Sequence, residues 1–198
     1  MGEKVAYNTN LSRSRGKGFE AQVVKRLCAL GYQAKKILLS GSHLAKPYDV
    51  IVKPYRLKIE AKRTMKNHIT MQAKWLDKVS NKLILVFAVG KYGGKKSIEM
   101  FSLSFLPTPM GKATEVVGLV DSTKNMVKMR RSKKIPKEHM ALVPFLVLYD
   151  ERFYLVEKFE DYMEKHYSLN KKGEEVTTGV GPTEYGFTTT AGTKPVCN

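Results

Sequence analysis

Asp49, Glu60 and Lys62 mark the two ends of the run PYDVIVKPYRLKIEAK, residues 47–62. Side chains alternate along a strand, so Glu60 and Lys62 share one face while Leu57, Ile59 and Ala61 take the other. A hairpin centred between Pro54 and Tyr55 pairs Val52 with Leu57, Val50 with Ile59 and Asp49 with Glu60, setting two carboxylates across from each other. Facing like charges cost roughly 0.2–1 kcal/mol on a sheet, and a divalent cation reverses that sign. Pro54 excludes a tight type I′ turn, and a slip of one residue would separate the pair. A third acid, Glu20, shares a helical face with Val24 and Leu27 at spacings of four and seven. A first-turn glutamate favoured by the helix dipole would occupy the same place. Hard oxygen donors suit magnesium, with manganese as a substitute. A neighbouring lysine can hold an attacking water or stabilise charge on a phosphate, so the chemistry implied is metal-assisted phosphodiester hydrolysis.

The elements that must position these residues are readable around them. Phe19, Val23, Val24, Leu27 and Leu30 recur at helical spacing, and Gly31 sits where a C-terminal cap belongs. A strand is expected over 33–39, then the loop SGSHLAKP, then the hairpin. Residues 70–79 read as a second helix leading into LILVFAVG, whose continuous apolar character suits a strand buried on both faces. GKYGGKKS turns into a further strand at SIEMFSL. Beyond Pro107, the basic run at 128–137, KMRRSKKIPK included, reads as a loop with even claims to phosphate binding and to simple solvation. ALVPFLVLYD and RFYLVEKFEDYMEKHY predict strand, strand and terminal helix. The organisation expected is a basic flexible arm at 1–14, a core at 15–106, a C-terminal extension packed on it at 107–167, and a flexible tail at 168–198.

The 198 residues suffice for one core with appended material, and 35 lysines and arginines against 18 acids give a net charge of +17. Such a balance points to a polyanion, nucleic acid or an anionic surface. No apolar run approaches a bilayer span, and the first residues carry no signal-type hydrophobic region, so an intracellular, cytoplasmic protein without membrane contact is expected. Cys28 and Cys197 suggest no disulfide framework. The four histidines lack zinc spacing and read as surface or loop residues, with His43 beside the hairpin. Trp75 reads as a core residue before a base-stacking one.

The hairpin pattern resembles the PD-(D/E)XK nucleases: PYD, ten residues, then Glu60-Ala61-Lys62, with a helix carrying Glu20 upstream. The wider run from RGKGFEAQ at residue 15 through to EAK is similar to the archaeal-type Holliday junction resolvases. It has the Lys17-Gly18 opening, a glycine and aromatic at the helix end, and a Ser-Gly-Ser loop, and the likeness covers residues 15–106. It implies an α/β fold, a restriction-endonuclease-like core with a central mixed sheet flanked by helices. It also implies magnesium held by Glu20, Asp49 and Glu60, Lys62 as the catalytic lysine, and a homodimer that cuts four-way junctions in branched DNA. Ser40 matches the active-site loop serine, an assignment open also to Ser42, and Gln72 falls near a position where related nucleases carry a glutamine. The usual Pro-Asp is here Pro-Tyr-Asp, and residues beyond Pro107 inherit nothing. A further nuclease type, cutting flaps, nicks or duplex, and a non-catalytic basic DNA-binding protein are the alternatives.

Overall fold

Leu83–Val89 (β5) is buried at all seven positions, because layers close on both of its faces. In the computed structural model, which describes residues 9–37, 48–91, 98–107 and 125–167 and side chains from residue 18 onward, β5 lies inside an eight-stranded sheet. In chain order the other elements of that sheet are β1 (Gln33–Lys36), β2 (Val50–Lys53), β3 (Leu57–Thr64), β6 (Phe101–Leu106), β7 (Met126–Lys128), β9 (Phe145–Tyr149) and β10 (Arg152–Lys158). The spatial order is β1-β2-β3-β5-β6-β10-β9-β7. β3 runs parallel to β5 and β7 to β9, and the remaining pairs are antiparallel. The fold is therefore α/β with a large mixed sheet, as the sequence predicts.

One face of the sheet is covered by α1 (Thr9–Ala29) and α3 (Phe159–His166). Phe19, Val23 and Leu27 from α1, with Phe159, Tyr162 and Met163 from α3, close on Val50, Val52, Ile59, Ile84 and Val86. The helix ends as its glycine indicates. Gly31 has φ +91°, its N–H reaches Cys28 O at 3.0 Å, and Tyr32 N–H reaches Leu27 O at 3.0 Å, the paired bonds of a Schellman cap. Leu27 and Tyr32 meet in the core below it, whereas Leu30 is exposed. At its other end α1 begins at Thr9, so residues 9–14 are helical where the sequence predicts a flexible arm. Once the packed turns at 19–27 exist, extending the helix adds one hydrogen bond per residue and needs no new nucleus. Cys28 is disulfide-bonded, where the sequence suggests no bridge; Cys197 lies outside the described residues.

The opposite face corrects the sequence reading twice. The helix expected at 70–79 is a strand, β4 (His68–Gln72), followed by one helical turn, α2 (Ala73–Leu76). The loop expected at 128–137 contains β8 (Ser132–Pro136), which pairs antiparallel with β4 from His68 opposite Pro136 to Gln72 opposite Ser132. Ile69, Met71 and Ile135 are buried at alternate positions against Leu85, Phe87, Val89 and Phe101, which is the period of a strand. A 3-10 helix, Lys137–Leu142, closes the layer. There His139 lies edge-on to Phe145 at 4.6 Å, half-buried where the sequence predicts a surface or loop position.

β6 pairs with β10 along its whole length, so the sheet crosses Pro107 without interruption. β9 and β10 are joined through Asp150 and Glu151, whose φ values of 49° and 59° suit a two-residue hairpin turn. The readings of 1–8, of the loop holding Ser40, Ser42 and His43, and of 168–198 lie outside the described residues.

Glu157 on β10 is buried, and its Oε1 has no hydrogen-bond partner among the described residues. Burial raises its carboxyl above the ordinary range, Lys165 opposing and Asp161 adding to the effect. The native state then holds this proton more tightly than the unfolded chain, so the contribution is full below the unfolded pKa, about 4.3, and is lost as pH rises through the folded value. Glu157→Gln is expected to match the wild type in urea stability near pH 4 and to exceed it increasingly toward pH 7. A gap independent of pH would show that the buried charge is not the cause.

Candidate active site

The hairpin forms in the expected register: Val52 faces Leu57 and Val50 faces Ile59. Its turn includes a cis Lys53–Pro54 bond, and Arg56 has φ +55°. The ladder, however, stops one residue short of the predicted carboxylate pair. Asp49 N–H donates to Ile59 O at 2.8 Å, so Asp49 leaves the register, and its Oδ2 accepts the Ala61 N–H at 2.8 Å. Asp49 and Glu60 are thus neighbours rather than ladder partners. The aspartate satisfies a strand amide that lies beyond the start of β2.

Glu60 and Lys62 project on one face of β3, as alternation requires. Lys62 Nζ donates to Glu60 Oε1 at 2.5 Å. A second ammonium, Lys78 Nζ, stands 3.5 Å from the same oxygen. Asp49 and Glu60 are only 9% and 8% exposed, and a carboxylate so buried requires partners. Two lysines supply them for Glu60, so the like-charge cost inferred from the sequence is offset within the protein.

Lys78 reaches Glu60 because α2 is pinned at both ends. Ala73 N–H donates to Arg131 O at 2.8 Å, and Lys78 N–H to Trp75 O at 3.2 Å. Leu76 is fully buried, and Trp75 packs half-buried against the same core. The Trp75 ring also lies 5.9 Å from Lys62 Nζ, a cation–π contact that helps to orient the lysine. Lys78 is the residue that sequence reasoning missed. It is 18 positions from Glu60, and only the turn after α2 joins them.

Glu20 takes a different partner, pairing with Lys36 Nζ at 2.8 Å on the helix side of the sheet. Gln72 ends β4 opposite Ser132 and shares a strand face with Thr70 and His68; among the described residues no hydrogen bond joins it to Glu60 or Lys62. Ser40 lies outside the described residues. No group of three or more His, Cys, Asp or Glu side chains among the described residues is gathered to hold a metal ion. Asp49 and Glu60 nevertheless suit a magnesium-type ion, because Asp49 Oδ1 and Glu60 Oε2 remain uncommitted among the described hydrogen bonds and ion pairs. Such an ion takes one or two carboxylates and completes its shell with water and phosphate.

No described helix is long and apolar enough to cross a membrane. Comparison with known proteins finds no matching family model, no matching curated protein and no matching solved structure, so the chain's own residues carry the functional reading.

Proposed function

We propose that the chain is a metal-dependent DNA endonuclease of the PD-(D/E)XK type, with a restriction-endonuclease-like core, acting as a homodimer on four-way junctions. The observation that carries this reading is the convergence of buried Asp49 and Glu60 with Lys62 at the open end of one hairpin. Asp49 and Glu60 would hold magnesium, or manganese in its place, which when bound polarises the phosphate and lowers the pKa of a water. The protein's own groups do the rest. The Ala61 N–H fixes the Asp49 carboxylate, and Trp75 confines Lys62. The Lys62 ammonium can pass from Glu60 to a phosphate oxygen or to the attacking water, stabilising charge as the bond to phosphorus forms. Two-fold symmetry would give a dimer two sites related as the two cut strands of a junction are.

A non-catalytic DNA-binding protein is the second reading, favoured by Lys62 and Lys78 already meeting the charge of Glu60. One experiment separates them. The full chain is incubated with labelled four-way junction, flap, nicked and linear DNA in magnesium or manganese, and strand cuts are mapped. Paired opposed nicks in the junction are expected. Scattered cuts on every substrate would leave a generic nuclease, and intact DNA in both metals would leave the binding protein.

A further inference from the structure

Charge on this protein is not spread evenly. Residues 63–76 and 126–137 contain nine lysines and arginines and no acid, in a chain with 18 acids. These two stretches include β4 and β8, which pair with each other and not with the main sheet. Their pairing gathers acid-free sequence into one two-stranded ribbon.

The ribbon has two unlike faces. Ile69, Met71 and Ile135 point to the core. By the strand period, His68, Thr70 and Gln72 share the outer face with Ser132, Lys134 and Pro136. Lys133, opposite Met71, belongs by the same period to the side of Ile135 although it is exposed, and Arg130 and Arg131 are exposed just before the strand. An outer face of hydroxyls, an amide, an imidazole and the Lys134 ammonium offers hydrogen-bond donors without a carboxylate to repel an anion, the composition that contacts phosphate rather than base edges. Five strand residues extend about 17 Å, the rise of roughly five base pairs.

This face also leads to the candidate site. Gln72 lies opposite Ser132, and the next amide, Ala73 N–H, is bonded to Arg131 O. One turn later come Trp75 against Lys62 and Lys78 against Glu60.

We propose that the outer face of the β4–β8 ribbon docks the phosphate backbone of duplex DNA and guides a strand toward Asp49, Glu60 and Lys62. The inference rests on the nucleic-acid reading above for the identity of the polyanion, but it does not require cleavage. Binding of a labelled 20-base-pair duplex to the full chain is therefore measured in EDTA across a salt series. The variant K134A is compared with the wild type and with K25A, which removes an exposed lysine from the helix-covered side.

K134A is expected to keep its thermal stability, to weaken binding equally on unrelated sequences, and to flatten the slope of log K against log salt by roughly 1. The helix-side control should leave the slope close to wild type. Equal flattening by both variants would overturn the proposal, because charge would then act over the whole surface. An unchanged slope in K134A would overturn it while leaving the nuclease reading intact. Wild-type protein that binds phosphatidylserine vesicles but no duplex would overturn both.

Discussion

Asp49→Asn and Glu60→Gln are each expected to lower magnesium-dependent cleavage roughly 10²–10³-fold, the scale of losing one preorganised electrostatic group at a phosphoryl centre. Each change replaces an oxygen anion with a neutral amide of the same shape. The amide oxygen introduced by Asp49→Asn would still accept the Ala61 N–H that Asp49 Oδ2 takes at 2.8 Å, so the hairpin should stay folded. Asp49→Ala differs, because it strands that amide and should cost about 1–3 kcal/mol. Comparing the asparagine and alanine variants in urea separates the structural bond from the chemical role. Glu60→Gln removes the counter-charge of two lysines, but Lys62 and Lys78 are 30% and 41% exposed, so solvent screens their mutual repulsion and stability should change little. DNA affinity should hold or rise in both variants as negative charge near the phosphate is lost. Cleavage at the wild-type rate in saturating magnesium by either variant would remove these two carboxylates from the site.

Phe87→Ala should be the most destabilising of the single changes considered, by about 3–5 kcal/mol. Phe87 is fully buried on β5, stands opposite Lys62 in the parallel ladder, and has the Phe101 ring 5.7 Å from its own. It belongs to the cluster that receives both the β4–β8 ribbon and Leu76 of α2, so no single layer can move in to fill the void. Set against a typical domain stability of about 5–15 kcal/mol, the loss should be plain in the urea midpoint. A loss below about 1 kcal/mol would mean that the layers relax over the missing ring and that the ribbon is not rigidly seated.

What the sequence disclosed depended on whether the relevant partner was local. The hairpin register was legible because Val50, Val52, Leu57 and Ile59 alternate within ten residues and the turn lies between them. The Gly31 cap and the doubly buried β5 were legible for the same reason, each being written in one short segment. β4 was misread because residues 69–79 support two periods at once. Ile69 and Met71 alternate as in a strand, while Leu76 and Val79 are spaced as in a helix, and both pairs are buried. The deciding partner, β8, lies some 60 residues away, and Ile135 is its single buried position. At the site, Glu60 and Lys62 were legible from alternation alone. The diversion of Glu20 to Lys36 and the arrival of Lys78 at Glu60 were not, because both depend on how separate elements come together in space.

The pairing of β6 with β10 also sets the order in which the chain can complete itself on the ribosome. β6 ends at Leu106, and its partner is finished only at Lys158, some 50 residues later. At translation rates of about 5–20 residues per second, the nascent sheet presents the open backbone edge of β6, with Phe101 and Leu103 beside it, for roughly 3–10 s. An unpaired apolar edge is a template for pairing with other chains. The interval before β10 emerges is therefore the period in which holding by a ribosome-bound chaperone, or a slow codon stretch between β6 and β10 that prolongs the exposure, would most affect the yield of folded protein.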